Sequence, residues 1–239
     1  MKILAISDIE DKSLEKVIER TPEKLKSVDY IFSCGDLKAD YIEYITDALS
    51  KSLYYIVGNH FAEQFYGKEF KKKHLNRKIY RGKGMRLHFG GVDMHGRIEV
   101  VGDYIIAGFG GTRRYNPGFF QFEELEMEKL VKKVRADIRS QRVKDFLLFK
   151  KRKKLIVMSH APVAGVHDKK DECHKGFQCF RKFLFKEKPI LWLHGHIHFE
   201  GQNRRQETKL GDTLVTNVYS SKIIEINKSK IKTLNANEL

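Results

Sequence analysis

The chain is poor in the residues that mark several protein classes. Its 239 residues include only three cysteines, four prolines and one tryptophan. Three thiols, Cys34, Cys173 and Cys179, cannot all pair, so no disulfide framework is implied and a reducing compartment is expected. No low-complexity tract, internal repeat or linker of Gly, Ser or Pro divides the chain, so one domain over residues 1–239 is expected. No apolar stretch approaches the ~20 residues that span a bilayer. The amino-terminal apolar run, Ile3–Ile6, follows a single lysine and is broken by Asp8, which makes a poor secretory signal. The resulting expectation is a soluble, cytoplasmic protein.

What is present is a chain able to build a core and carrying a strong charge of one sign. Hydrophobic residues make up 41% and aromatics 11%, which argues against disorder. Forty-six Lys and Arg face 31 Asp and Glu, for a formal charge of +15. Such an excess suits polyanionic partners: nucleic acid, phosphorylated metabolites or a lipid surface. Most of it is Lys, which also scatters over ordinary surfaces.

The first half alternates strand and helix. Strands are predicted at Lys2–Ser7, Asp29–Ser33 and Leu53–Val57, with helices near Lys12–Arg20 and Tyr41–Lys51. That alternation indicates βαβ units and a parallel sheet. Short strands at Arg86–Gly91, Arg97–Val101 and Tyr104–Phe109 follow, then a long charged helix over about Phe122–Phe149. Beyond it lie a strand at Leu155–Ser159, a helix at Gly176–Phe185 and a strand at Ile190–His194. The tail reads as strands at Thr213–Asn217, Lys222–Asn227 and Lys230–Leu234. Two packed sheets with outer helices accommodate both halves.

The chemistry gathers where strands stop. Strand one ends at Asp8-Ile9-Glu10, strand two at Gly35-Asp36 and strand three at Gly58-Asn59-His60. Two later strands end at Ser159-His160 and at Gly195-His196-Ile197-His198. In open α/β sheets ligands bind at the carboxyl ends of strands. Glycine there lets the backbone approach a bound group closely. Carboxylates, an Asn carbonyl and imidazoles suit divalent transition metals. The set is too large for one tetrahedral ion but reasonable for two ions sharing a carboxylate. Taken singly, Gly35-Asp36 and Gly58-Asn59-His60 would be turns, and His160 an ordinary imidazole. Their order, each at a strand end, separates them from that background.

This ordered set resembles the calcineurin-like metallophosphoesterase family, whose pattern is Asp-x-His, Gly-Asp, Gly-Asn-His-Asp/Glu, a later His and Gly-His-x-His. The matches span Asp8 to His198. The resemblance implies a four-layer α-β-β-α sandwich, two mixed sheets flanked by helices, with a dinuclear centre. It implies that Asp8 and His198 bind one ion, that Asn59, His160 and His196 bind the other, and that Asp36 bridges them. His60 would contact the substrate phosphate and protonate the leaving group. The implied activity is metal-dependent hydrolysis of a phosphodiester, a nucleotide or other small diester, by a metal-bridging hydroxide. Manganese is favoured, with iron, zinc, magnesium or nickel as alternatives. The rival readings are a nuclease, or a degraded member that binds nucleic acid or another polyanion.

Two positions depart from the family pattern. Glu10 stands where the first motif has His, and Phe61 follows His60 where an acid is usual. As a ligand, Glu10 would favour harder ions such as Mn or Mg and, by lowering the site's charge, shift the activity optimum to higher pH. The alternative is that Glu10 points to solvent. Without an acid at position 61, Asp40 or Glu63 is left to orient His60. Asp11 is expected to cap the following helix.

Other residues are weighed against plainer roles. Arg113 and Arg114, after the Gly110-Gly111 strand end, could grip phosphate. Asp93 and His95 read as turn residues. His167, Cys173, His174 and Cys179 lack zinc-site spacing and read as a loop crossing beside the site. His194 reads as packing beneath it. The run Lys150–Lys154 reads as a solvated helix end ahead of a nucleic-acid patch, because no aromatic interrupts it.

Overall fold

A computed structural model of the protein describes residues 1–60, 90–199, 206–228, 230–235 and 238. Strands β1 (Lys2–Ser7), β2 (Tyr30–Ser33) and β3 (Ser52–Tyr55) alternate with helices α1 (Lys12–Arg20) and α2 (Ala39–Leu49). Next come β4 (Val92–Asp93), β5 (Ile98–Val101), β6 (Tyr104–Phe109), β7 (Thr112–Arg113) and β8 (Gln121–Phe122). The long helix α3 (Glu124–Leu147) leads to β9 (Lys154–Ser159), α4 (Gln178–Glu187) and β10 (Leu191–His194). Strands β11 (Glu207–Leu210), β12 (Thr213–Asn217), β13 (Ser220–Asn227) and β14 (Lys230–Asn235) complete the order. The strand expected at Arg86–Gly91 falls mainly outside the described residues.

The strands form two six-stranded mixed sheets. One has the order β14-β13-β1-β2-β3-β4, the other β11-β12-β10-β9-β6-β5. β1, β2 and β3 run parallel in one, as do β6, β9 and β10 in the other. Alternation along β1 shows why the layers stack. Leu4 and Ile6 pack against α1 and α2 with Leu14, Ile18, Ile42 and Ile45. Ile3 and Ala5 face the second sheet and meet Ile156, Met158, Leu191 and Leu193. Both faces of the strand are apolar, as a strand buried on both sides requires. On the far side, α3 and α4 cover the second sheet with Met127, Val134, Ile138, Phe180 and Phe183 around Trp192. The result is the expected α-β-β-α sandwich.

This order places the chemistry. β1, β2 and β3 are neighbours in one sheet, β9 and β10 in the other. Their carboxyl ends therefore open at the same edge of the sandwich. Backbone hydrogen bonds fasten the loops there: Asp8 N–H to the Gly35 carbonyl (3.0 Å) and Gly195 N–H to the His160 carbonyl (3.2 Å). Gly111 N–H reaches across to the Val57 carbonyl (2.8 Å), joining the end of β6 to the segment after β3. Among the described residues, no helix is long and apolar enough to cross a membrane.

Candidate metal centre

Five loop ends converge at that edge. Ligand atoms of Asp36, His160 and His196 lie within 4.8 Å of one another, and all three residues are buried. Asp8 joins them through its carboxylate, which accepts the His196 backbone N–H at 2.9 Å and lies 3.7 Å from His198 Nε2. Asn59 and the His60 backbone enter from the third strand end, with His60 N–H donating to Asp36 Oδ1 at 3.0 Å. The backbone is bent to bring them in. Asp8, Asp36 and His196 all adopt left-handed conformations, with φ of 70°, 56° and 67°. Such conformations are costly for side-chain-bearing residues and concentrate at functional sites. Glycine makes room beside them. A Cβ on Gly58 would lie 2.1 Å from Asp36 Oδ1, and one on Gly195 2.6 Å from Asp8 Oδ2.

Backbone carbonyls set the imidazole tautomers. His160 Nδ1 lies 2.8 Å from the Cys34 carbonyl, which can only accept, so Nδ1 carries the proton. In the neutral ring Nε2 is then a bare lone pair. It sits 3.0 Å from Asp36 Oδ2 without forming an aligned hydrogen bond. His196 repeats the device: its Nε2 donates to the Cys173 carbonyl at 2.8 Å, leaving Nδ1 as the lone pair. The Asn59 side-chain NH2 donates to Tyr115 Oη at 3.0 Å, while its buried Oδ1 has no hydrogen-bond partner among the described residues.

The neutral His160 ring and the Asp36 carboxylate would oppose two acceptors, so a cation must bridge them: a proton when no metal is bound, or a divalent ion, which the unmet amide oxygen of Asn59 also suits. An oriented imidazole whose second nitrogen is bound to a carbonyl is the usual supporting arrangement for a metal ligand. The residues present therefore fit the metal centre that the sequence pattern implies.

The charge balance without metal agrees. Burial works against a charged His160, but the Asp36 carboxylate, helped by Asp8 and the Cys34 carbonyl, raises its pKa to about 9. Burial likewise opposes a charged Asp36, yet His160 and His60 keep its carboxyl below the ordinary value. His196 is pushed down to about 4 by burial and by the neighbouring His160. The stability that follows from His160 is complete below its ordinary value of 6.5 and is lost as pH rises through about 9. The melting midpoint of chelator-treated protein should therefore fall across that window. Divalent metal should remove the fall, because the neutral imidazole is the form that ligates. Scanning fluorimetry at several pH values checks this; a midpoint that holds or rises over the window would contradict it.

Several expected site residues lie elsewhere. Glu10 is exposed, and its Oε1 accepts from Lys38 Nζ at 2.9 Å. The fold does not bring Glu10 into the cluster of Asp36, His160 and His196. The left-handed turn at Asp8 carries the chain outward, and Lys38 neutralises the carboxylate where neither loses much hydration. Glu10→Gln should leave metal content and pH profile unchanged and alter activity by less than about fivefold, as exposed pairs contribute ~1 kcal/mol at most. Loss of an ion in that variant, measured by elemental analysis, would restore Glu10 as a ligand.

Arg113 and Arg114, expected to meet phosphate, are engaged with carboxylates. Arg113 pairs with Glu124 (3.3 Å) and Glu172 (4.0 Å), Arg114 with Glu123 (3.2 Å) and Glu126 (2.8 Å). They tie the β7–β8 ribbon to the first turn of α3. Phe61 and Glu63 lie outside the described residues, and Asp40 sits in the first turn of α2. Asp11 does cap α1, accepting from Ser13 N–H and Leu14 N–H.

The loop carrying Cys173 and His174 does cross beside the centre, with the His174 ring 5.3 Å from that of His196. His194 is fully buried beneath, donating from Nδ1 to the Gly195 carbonyl and accepting at Nε2 from His167 Nδ1 (2.8 Å). His167 in turn accepts from Thr208 Oγ1 at 3.0 Å, so the chain of neutral rings is satisfied throughout. His95 is more than a turn residue: its Nδ1 accepts from Gly110 N–H at 3.0 Å and its ring stacks on Phe122. Tyr115 and the carbonyls of Cys34 and Cys173 were not anticipated. A carbonyl has no signature in sequence, and Tyr115 is 56 positions from the Asn59 it holds.

The family model for calcineurin-like phosphoesterases matches residues 1–200. The chain belongs to that family. It is accordingly a metal-dependent hydrolase of phosphoric esters. No curated protein matches its sequence. Among solved structures, TT1561 of Thermus thermophilus superposes with a TM-score of 0.57 at 17% identity, covering 98% of each chain. A dimetal phosphatase from Danio rerio gives 0.48 at 10% identity over 99% of each chain. An archaeal phosphodiesterase gives 0.43 at 14% identity over 98% of this chain and 99% of its own. The first likeness is one of fold, and the others are too loose to extend it.

Proposed function

We propose that this phosphoesterase hydrolyses phosphodiesters at a dinuclear divalent centre built within one domain, residues 1–239. The observation that carries the reading is His160 Nε2 held 3.0 Å from the buried Asp36 carboxylate, a gap that a proton or a metal ion must bridge, together with the buried Asn59 Oδ1, which has no hydrogen-bond partner among the described residues. Asp8 and His198 would hold one ion, Asn59, His160 and His196 the other, and Asp36 would bridge. Manganese is the ion to test first, since two carboxylates, an amide and three imidazoles suit a borderline ion. When bound, the ions would polarise a phosphoryl oxygen and supply a nucleophile from water at neutral pH.

The chain's own groups do the rest. The His196 N–H orients Asp8, Tyr115 orients Asn59, and the Cys34 and Cys173 carbonyls fix the two buried imidazoles. His60 is exposed while its backbone is tied to Asp36, which keeps its imidazole at the open, substrate side of the site. There it would donate a hydrogen bond to a non-bridging oxygen and pass a proton to the leaving oxygen. The degraded-site alternative finds little support in a set with all six remaining ligand positions filled. Comparing bis-p-nitrophenyl phosphate with p-nitrophenyl phosphate, in the presence of Mn, Mg, Zn, Fe or Ni, tests the reading. Metal-dependent turnover favouring the diester is expected; no turnover with any ion would overturn it.

A further inference from the structure

The end of α3 farthest from its capped first turn is unusual for a surface. Val143, Phe146, Leu147 and Leu148 are exposed there, and Phe149 is 99% exposed in a left-handed conformation with φ 52°. Solvent-facing aromatic and aliphatic groups cost free energy, and contiguous patches of them mark contact with another phase or partner. The left-handed φ closes the helix in a Schellman turn, with Lys150 N–H on the Asp145 carbonyl (2.9 Å) and Phe149 N–H on the Phe146 carbonyl (3.0 Å), and this turn sets the Phe149 ring out from the helix end.

The same tip is strongly basic. Lys150, Lys151 and Arg152 follow Phe149 directly and are exposed. A cleft of about 680 Å³ opens beside them, lined by Lys144, Lys150, Lys151 and Lys153 with Asp103 and Asp145. Asp145 is already paired with Lys153 at 2.8 Å. Val100, 41% exposed, and Leu148 give the cleft an apolar wall.

We propose that this tip docks on an anionic phospholipid surface, with Phe146, Leu147 and Phe149 entering the headgroup boundary and the lysines meeting lipid phosphates. The charge pattern selects this occupant. A second copy placed face to face would oppose two basic clusters, which repel. Nucleic acid would use the lysines but has no use for exposed Val143, Leu147 and Leu148. A membrane uses both, since apolar side chains flanked by cations are the signature of interfacial binding. The chain then reaches a surface without spanning it.

Vesicle co-sedimentation of the full chain tests this, using phosphatidylcholine with and without phosphatidylglycerol. Binding should require phosphatidylglycerol and weaken with salt. Lys150→Ala with Lys151→Ala should lower it about thirtyfold, roughly fivefold for each cation near an anionic surface. Phe146→Ala with Phe149→Ala should lower it at least about tenfold. All four residues are exposed, so thermal melts of the variants should match the parent. Three results would overturn the proposal: equal binding to both vesicle types, full binding by the Phe variants, or a change of oligomeric state in those variants without lipid loss. Tighter binding of the tip to duplex RNA or DNA than to the vesicles would also overturn it.

Discussion

Asp36→Asn is expected to lower hydrolysis by more than about a thousandfold, the upper end of what removal of a single transition-state contact costs. The substitution is nearly isosteric, and Asn tolerates the left-handed φ of 56° that Asp36 occupies. It still accepts the His60 N–H through its carbonyl oxygen. What it removes is the charge between His160 and the rest of the site. Without it the pKa of His160 should fall from its raised value near 9, since that carboxylate is the main group holding the proton there. The variant should stay folded, yet bind fewer ions. Turnover and elemental analysis on the same preparation check both halves. Activity within tenfold of the parent, or unchanged metal content, would show that Asp36 does not bridge.

Gly58→Ala should cost about a hundredfold in activity while leaving the sheets intact. Its Cβ would stand 2.1 Å from Asp36 Oδ1 and 2.7 Å from His160 Cε1, closer than any real contact allows. The side chains must give way, because the β3 end is fixed by the Gly111–Val57 hydrogen bond. A displacement of about 1 Å at a reacting centre commonly costs ~10²-fold. The two cores around α1–α2 and α3–α4 involve none of these atoms, so circular dichroism should be preserved. Full activity would mean that the loop relaxes without moving Asp36, and that the tight packing there has no functional weight.

Much of this was legible in the chain because strand ends announce themselves. Tyr104–Phe109 and Thr213–Asn217 form strands over the expected residues, and the long helix begins and ends within two residues of its periodic pattern. The residues that gather at the site were visible for the same reason: polar residues beside glycine, directly after apolar runs, stand where a sheet opens at its carboxyl edge. The two-residue strands β7 and β8 left no periodic trace, and the polar strand Glu207–Leu210 reads like a loop.

Side-chain direction is what the sequence leaves open. Spacing places a residue in a loop but does not say which way its side chain turns. Glu10 turned outward to a lysine 28 positions later, and Arg113 and Arg114 turned to acids on a helix that returns to them. The groups that orient the ligands were hidden because they are carbonyls and a tyrosine brought from distant parts of the chain. In sequence the run Lys150–Lys154 stands out by charge alone, whereas the exposure of the Phe146–Phe149 stretch beside it is a property of the folded chain.

The most direct test of the dinuclear reading is a calorimetric titration of chelator-treated protein with Mn, at a pH where His160 can release its proton. The expected result is two ions per chain, proton uptake by the buffer as the ions bind, and loss of at least one ion in Asp36→Asn. A single ion per chain, or two ions bound equally well by that variant, would contradict a centre bridged by Asp36.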